Sequence, residues 1–160
     1  TVFFAKNKIK VEALDYSLTA IKTIEEKAKD NNLSKLISTK HFDIRNKLPY
    51  EDNSINGIFS HMLYCMALTN SDIKKLNDEI LRVLKPGGIN IYSVRNTNDG
   101  DYKKGIHRGE DMYENDGFII NFFSEKKVNG LLEGFKNLST TNFKEGNFPR
   151  KLFLIQNKKL

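Results

Sequence analysis

The sequence predicts an α/β fold of three layers, α/β/α, in which a mostly parallel sheet ends in an antiparallel hairpin. Short apolar runs rich in β-branched residues alternate with amphipathic stretches over residues 1–94, and this alternation is typical of parallel strands joined by helices. The last two apolar runs, residues 138–143 and 151–156, are separated by a short turn at residues 146–149. A connection this short requires the two strands to run antiparallel.

The first half of the chain contains three of the predicted strands. Residues 1–6 resemble the end of a helix, and residues 9–14 form a strand-like run. Asp15, Tyr16 and Ser17 then introduce a helix whose apolar residues follow a helical spacing and which closes at the polar residues 30–32. Strands are predicted over residues 36–42 and 55–60, with a loop between them, and residues 62–68 lead into the next helix.

The clearest unit is residues 71–95, which combine a helix, a turn and a strand. Ser71 is predicted to cap the helix, and Asp72 is favourable in its first turn. Pro86 cannot continue a helix, and the two glycines after it allow the chain to reverse into a strand over residues 89–94. The apolar stripe of this helix comprises Ile73, Leu76, Ile80, Leu81, Val83 and Leu84.

The last third of the sequence has a different character. Residues 95–117 are polar and glycine-rich, and this segment is longer than an ordinary connection, so we predict an acceptor-site loop or lid. Ser124 is predicted to cap a helix that ends near Leu132. Apolar residues before that helix either pack the lid onto the sheet or line a pocket: Phe118, Ile119, Phe122 and Phe123.

Composition limits the class of protein. The 160 residues, of which 39% are hydrophobic, suffice for one core. Cys65 is the only cysteine, so an internal disulfide and a cysteine-built zinc site are excluded, and we expect it to be buried. No apolar run is as long as a membrane span and no signal peptide is visible, which predicts a cytoplasmic protein. The net charge of +6 is diffuse and indicates solubility first and anion binding second.

Polar residues follow the first three strands. In a parallel sheet, ligands bind beyond the carboxyl ends of the strands. Asp15, after the first strand, suits the vicinal hydroxyls of a ribose, although it also suits a helix cap. Asp43 and Ile44, after the second, suit an adenine, although Asp43 is equally consistent with an ordinary loop. Residues 60–62, after the third, would lie near the reactive part of such a ligand.

Three segments carry a family resemblance. They are VEALDYS at residues 11–17, DIRNKLPYEDNSINGIFSHM at residues 43–62 and EILRVLKPGGINIYSV at residues 79–94. In this order and spacing, followed by a terminal hairpin, they resemble the class I S-adenosylmethionine-dependent methyltransferases. The resemblance covers essentially the whole chain and implies a Rossmann-like, seven-stranded sheet with its last strand antiparallel.

The resemblance also implies the cofactor, S-adenosyl-L-methionine, and the residues that bind it. It places Asp15 and Tyr16 at the ribose, Asp43 and Ile44 at the adenine, and the end of the third strand near the methionine moiety. The residues implied at that end are Ser60, His61 and Met62. The glycine-rich motif of the family and the strand before it would precede Thr1, so we expect a single methyltransferase domain, residues 1–160, that is incomplete at its N-terminus.

Methyl transfer requires alignment of an acceptor and, for a protonated acceptor, a base. His61 is the best-placed candidate, either as that base or as a hydrogen-bonding group for the cofactor. His107 and Arg108, with Glu110 and Asp111, form either a metal or anion site or a solvated loop; we assign no metal. The other candidates for acceptor binding are Tyr64, Arg95, Asn96, His107, Arg108 and Tyr113.

The acceptor itself has no signature in the sequence. No motif for DNA-base, protein or catechol methylation is present, which favours a small-molecule acceptor and makes nucleic acid an unexpected partner. A nicotinamide-dependent dehydrogenase would also place an acid such as Asp15 on a ribose, but it does not account for the turn at residues 85–88 or the terminal hairpin. The alternative function is a non-catalytic methyltransferase-like module that binds a nucleotide or RNA.

Overall fold

The computed structural model describes residues 1–146 and 150–160. The chain divides into two compact units, Thr1–Lys47 and Leu48–Leu160. Each unit is described on its own below, and the single domain predicted over residues 1–160 stays a prediction.

The first unit consists of helices α1 (Val2–Lys6) and α2 (Leu18–Asp30) and strands β1 (Val11–Asp15) and β2 (Ile37–His41). The strands pair in parallel, with Asp15 opposite His41, so their carboxyl ends lie side by side. Ser17 begins α2 by accepting a hydrogen bond from the backbone N–H of Ala20 at 3.2 Å. The core of this unit is formed by Ala5, Ala28 and Ile37, against which Val2, Ile24, Leu33 and Leu36 pack.

The second unit contains a four-stranded sheet in the order β3-β4-β9-β8. Strands β3 (Ile55–His61) and β4 (Leu84–Arg95) are parallel, whereas β9 (Arg150–Lys159) runs antiparallel to both β4 and β8 (Phe135–Glu145). The predicted antiparallel hairpin is therefore confirmed. Its predicted turn, residues 146–149, includes three residues, 147–149, that lie outside the described part of the chain.

Helix α3 (Asn70–Val83) begins one residue earlier than predicted. Thr69 caps it, because the Thr69 hydroxyl accepts from the backbone N–H of Asp72 and the Asp72 carboxylate accepts from that of Thr69, both at 3.1 Å. The predicted cap, Ser71, was therefore wrong. The apolar face is as predicted over most of its length, with Ile73, Leu76, Ile80 and Val83 buried.

The strand after α3 is longer than predicted. It begins at Leu84, which was assigned to the helix, and the register with β3 shifts between Ile55 and Gly57. The predicted turn at residues 85–88 is thus an irregular start of β4. Gly87 lies in the left-handed region at φ +77°, and a Cβ on Gly88 would lie 2.8 Å from the Lys85 carbonyl oxygen, so this irregularity requires glycine at both positions.

Residues 95–117, the predicted acceptor-site loop or lid, include regular secondary structure, and their role at an acceptor stays a prediction. They contain strand β5 (Ile106–His107) and strand β6 (Met112–Asn115), which join β7 (Phe118–Asn121) in a three-stranded antiparallel sheet. Helix α4 (Glu125–Asn129) follows and is shorter than predicted, although Ser124 caps it as expected by accepting from the Lys127 N–H. Phe122 and Phe123 are fully buried and therefore pack the core, while Phe118 is exposed.

Asparagines form a row across the four-stranded sheet. Asn90 on β4 is opposite Asn157 on β9, which is opposite Asn137 on β8. Asn90 and Asn157 are completely buried, and Asn137 donates a 2.9 Å hydrogen bond to the Asn157 side chain. Beside this row, Tyr64 and Tyr92 stack with ring centroids 4.6 Å apart. The core of the second unit is therefore partly polar.

Across the described residues, every helix is too short or too polar to cross a membrane. The cytoplasmic location stays a prediction.

Candidate functional site

Asp15 ends β1 with its side chain partly exposed. Its Oδ1 accepts a 2.8 Å hydrogen bond from the backbone N–H of Ser17. Because Ser17 itself caps α2, the interpretation of Asp15 as a helix cap is wrong. The carboxylate has further lone pairs beyond the one that Ser17 occupies, and these fit the two hydroxyl donors of a ribose.

Tyr16 lies beside Asp15 with 68% of its surface exposed. Its carbonyl oxygen is 2.8 Å from Nε2 of His41, and the Tyr16 and His41 rings are 5.8 Å apart. His41 is the last residue of β2, opposite Asp15. Sequence reasoning missed His41, although its position at the end of a predicted strand was a usable signal.

Asp43 and Ile44 follow β2 and are both partly exposed. The Arg45 guanidinium donates to both oxygens of Asp43, and this hydrogen bonding lowers the pKa of the Asp43 carboxyl to about 2. The carboxylate is therefore ionised at neutral pH. The Arg45 backbone N–H also donates to Oδ1, so each Asp43 oxygen already receives two contacts from Arg45.

Ser60 lies near the carboxyl end of β3 and is 9% exposed. Its hydroxyl is buried and has no hydrogen-bond partner among the described residues. Buried polar groups in proteins are nearly always hydrogen-bonded, so an unpartnered hydroxyl at a strand end indicates that another group completes it. Tyr64 and Tyr92 in the same unit also have buried hydroxyls without a described partner, but Ser60 is the one near a strand's carboxyl end, and its contact with the cofactor stays a prediction.

His61 ends β3 and is held on both sides. Its Nδ1 lies 2.7 Å from the Ser93 hydroxyl, and its Nε2 lies 3.3 Å from a Glu145 oxygen. The Ser93 hydroxyl also accepts from the N–H of Met62 and still has its own hydrogen to donate to Nδ1. If it donates there, the His61 proton is on Nε2, the nitrogen that faces Glu145 without a hydrogen bond. Ser93 and Glu145 were missed because each is distant in sequence from His61.

Met62 adopts a left-handed backbone conformation at φ +54°. Its N–H donates to the carbonyl oxygen of Ser93 at 3.0 Å, and this bond holds the turn after β3 against β4. A bulky residue is disfavoured in this conformation, so the surrounding structure imposes it.

Two acceptor-site candidates are buried. Tyr64 is fully enclosed, and burial raises the pKa of its hydroxyl far above the ordinary value. Arg95 is 6% exposed and forms ion pairs with Asp99 and Asp101, while its guanidinium lies over the Phe122 ring. In this conformation neither side chain presents a free surface to an acceptor, contrary to prediction.

The remaining candidates fall in two places. Asn96 is buried at the end of β4, at the base of a groove described below. His107 is opposite Tyr113 in the three-stranded sheet, with their rings 5.0 Å apart, and Arg108 forms an ion pair with Glu114.

The hypothesis of a metal site around His107 has no support in the geometry. His107 contacts the backbone oxygen of Glu110, whereas Asp111 accepts from the Tyr102 hydroxyl. Within residues 1–146 and 150–160, no three His, Cys, Asp or Glu side chains gather as metal ligands do.

The comparisons with known proteins agree with the resemblance seen in the sequence. The family model described as a methyltransferase domain matches residues 1–88. No curated protein sequence matches the chain. Solved structures do match, although at sequence identities that show the fold alone.

A crystal structure of a SAM-dependent methyltransferase from Methanosarcina mazei is 20% identical, with a TM-score of 0.83 over 99% of this chain and 86% of that one. The [4+2]-cyclase SpnF is 16% identical, with a TM-score of 0.71 over 99% of this chain and 69% of that one. The N-methyltransferase NodS from Bradyrhizobium japonicum, solved with S-adenosyl-L-homocysteine, is 12% identical, with a TM-score of 0.69 over 94% of this chain and 66% of that one. The Rossmann-like fold class is thereby confirmed.

Proposed function

Because the chain belongs to the methyltransferase domain family, we propose that it is an S-adenosyl-L-methionine-dependent methyltransferase that acts on a small-molecule acceptor. Methyl transfer follows from the family. The small-molecule acceptor is the finer part of the proposal, and it is supported by a groove of small-ligand size at the end of β4.

The observation that carries the proposal is the buried, unpartnered hydroxyl of Ser60 at the carboxyl end of β3. In α/β folds with parallel strands, that end of the sheet is where ligands bind. A polar group of the cofactor that accepts from or donates to Ser60 would satisfy this hydroxyl, which otherwise incurs a desolvation cost of about 1–3 kcal/mol.

The family resemblance supplies the roles that we propose for the other cofactor residues, and their exposure supports them. S-adenosyl-L-methionine supplies the electrophilic methyl group. Asp15 accepts hydrogen bonds from the ribose hydroxyls, and Tyr16 offers an exposed ring beside it. Asp43 accepts from the adenine amino group while Arg45 keeps its carboxyl ionised, and Ile44 covers the ring face. Met62 holds the turn after β3 in place.

His61 acts as a hydrogen-bond donor and a positioning residue in this proposal. In the tautomer that we propose, the Ser93 hydroxyl donates to the lone pair on Nδ1, and Nε2 carries the proton. A general base needs a free lone pair aimed at the acceptor. His61 lacks one in this arrangement, which favours its contact with the cofactor over deprotonation of the acceptor.

Isothermal titration with S-adenosylmethionine and S-adenosylhomocysteine tests the proposal. We would titrate this chain and a form extended upstream by any further encoded residues. Asp15→Asn keeps the oxygen that accepts from Ser17 but removes the charge, so we expect affinity to fall about ten- to hundredfold, as for a lost charged hydrogen bond. Asp30→Asn, at the exposed end of α2, is the matched control and should leave affinity unchanged.

Absence of saturable binding by either protein would overturn the proposal. Equal losses of cofactor affinity in the Asp15 and Asp30 variants would show that Asp15 does not bind the cofactor. A salt-dependent shift of the protein on RNA, with no binding of S-adenosylhomocysteine, would instead favour the non-catalytic RNA-binding module.

A further inference from the structure

A groove of about 450 Å³ lies in the second unit where β4 ends and β8 and β9 approach their connection. Its volume lies within the usual range for small-molecule sites. The lining is composed of amide side chains, one aromatic ring and two lysines, namely Asn96, Asn98, Asn142, Phe143, Lys144 and Lys151. No carboxylate is among these residues.

The amides present hydrogen-bond donors to this groove. Asn96 is 1% exposed, accepts from the N–H of Asn98 at 2.9 Å and donates to the Asn142 side-chain oxygen at 3.3 Å. This network uses the oxygen of each amide as an acceptor. The Asn142 amide nitrogen and the second N–H of Asn96 remain as donors for another group.

Lys144 and Lys151 are directly opposite each other on β8 and β9. Side chains in such cross-strand pairs lie on the same face, and like charges there are destabilising. The two lysines therefore project from the same face of the hairpin, and the ion pairs of the described residues include no carboxylate for either.

The acidic residues near the two lysines interact with other groups. Asp99 accepts from the backbone N–H of Lys151 at 2.7 Å, but its carboxylate is buried against Arg95. Glu145 lies next to Lys144 in sequence, where it contacts Nε2 of His61 and lies 3.9 Å from Arg150. Neither acid forms an ion pair with the two lysines.

We propose that this groove binds an oxyanion, a carboxylate or phosphate, on the methyl acceptor. This inference rests on the proposed function for the identity of the ligand as the acceptor. An oxyanion relieves the repulsion between Lys144 and Lys151 and accepts from the free amide N–H groups of Asn96 and Asn142.

The same two strands offer a matched control. Lys136 and Lys158 are also directly opposite each other, at the other end of β8 and β9, and both are exposed. They line no part of this groove. A double substitution there removes the same charge from the same pair of strands, without removing a groove ligand.

The test is a titration of inorganic phosphate and of succinate at low ionic strength, where screening is weakest. The side-chain amide NMR signals of Asn96 and Asn142 report occupancy. We expect Lys144→Gln with Lys151→Gln to weaken binding about tenfold, the sum of two modest charge contacts. Lys136→Gln with Lys158→Gln should change affinity less than about twofold. Tighter binding of phosphate would indicate that the acceptor is phosphorylated. Tighter binding of succinate would indicate that it is a carboxylic acid.

Equal weakening in both double variants, or no shift of either amide signal in the unsubstituted protein, would overturn the proposal. The titration with S-adenosylhomocysteine is independent of this one. Binding of phosphate without binding of S-adenosylhomocysteine would reject the methyltransferase function and keep an anion site. Binding of S-adenosylhomocysteine without binding of phosphate or succinate would reject only the anionic acceptor.

Discussion

The carboxyl ends of β1 and β2 differ from that of β4 in how their polar residues are held. Asp15 and Asp43 are partly exposed, and each side chain bonds a residue two positions away. At the end of β4, Arg95 and Asn96 are buried in networks that reach β8 and β9 through Asn142 and the Lys151 backbone.

This difference separates polar residues that are available to a ligand from those that are part of the architecture. Position at a strand end is common to both groups. What distinguishes them is exposure, because Arg95 also has local partners in Asp99 and Asp101. A partly exposed strand-end residue remains accessible to a ligand, whereas a buried one stabilises the fold, and substitutions should divide along this line.

Asp99→Ala should have the largest effect on stability. It removes the carboxylate that neutralises buried Arg95 and accepts from the N–H of Asp101 and Lys151. Removing one partner of a buried ion pair costs up to about 3–5 kcal/mol of unfolding free energy, and Asp101 offsets part of this because it stays paired with Arg95; urea denaturation measures the loss. Asp101→Ala is the control, because Asp101 is half exposed and should cost less than about 1 kcal/mol. Similar losses in both variants would contradict this role.

The Asp99 carboxyl should also make stability pH-dependent. Burial raises its pKa, but hydrogen bonds from Arg95 and two backbone N–H groups outweigh burial and hold the pKa below its ordinary value. Its contribution is therefore complete above about pH 4 and is lost as the pH falls through the folded-state pKa. Between about pH 5 and about pH 3, the unfolding free energy of the unsubstituted protein should fall more steeply than that of Asp99→Asn. If the unfolding free energies of the two proteins fall in parallel with pH, the Asp99 carboxyl is not the cause of the pH dependence.

Tyr64→Phe should leave stability unchanged or raise it by up to about 1 kcal/mol. The Asn90 side chain faces the Tyr64 hydroxyl, but no hydrogen bond satisfies that buried group in the described chain. Tyr102→Phe is the control, since it removes a 3.1 Å bond to Asp111 and should cost about 1 kcal/mol. Thermal or urea unfolding measures both. A larger loss for Tyr64→Phe would mean that its hydroxyl has a partner.

Ser93→Ala should change which ring nitrogen of His61 carries the proton. Its effect on the unfolding free energy should be smaller than that of Asp99→Ala. In the unsubstituted protein, nitrogen NMR of the ring should show the proton on Nε2, because Ser93 donates to Nδ1. Without that hydroxyl, both tautomers should be populated. A proton already on Nδ1 in the unsubstituted protein would leave Nε2 free as a base and contradict the positioning role.

Arg45→Gln should have the smallest effect of these substitutions, because it should change only the pKa of the Asp43 carboxyl. The pKa of Asp43 should rise from about 2 towards its ordinary value of 3.8, since the Arg45 side chain is the main cause of the shift. The pair is exposed, so unfolding by urea should be unchanged. Carboxyl NMR during an acid titration measures the pKa. An unchanged pKa would show that the backbone, and not the guanidinium, sets it.

Much of the fold was predictable because its signals are local. The cap at Ser17, the apolar face of α3 and the terminal hairpin depend on residues within one or two turns of each other. The cap at Thr69 was missed because Ser71 is equally suitable in isolation. Only the reciprocal bond with Asp72 distinguishes the two.

The three-stranded sheet and the buried candidates were not predictable for a different reason. Strands β5 and β6 have two and four residues, too few for alternation to emerge from a polar segment. The burial of Tyr64 depends on stacking with Tyr92, and that of Arg95 on Asp99, Asp101 and Phe122. Cys65, in contrast, is buried as expected, and burial raises the pKa of its thiol to about 12.

The row of asparagines across β4, β9 and β8 has a consequence for how the chain avoids misfolding. A slip of β9 by one residue would place Asn157 opposite Ile89 or Ile91 in place of Asn90. Because such a slip also turns every side chain of β9 to the other face of the sheet, Asn157 would lose the hydrogen bond from Asn137 and meet hydrocarbon. The row thus favours the correct strand register. Burying these amides lowers the stability of the correctly paired sheet, but it lowers the stability of mispaired sheets more, including those formed between chains during synthesis.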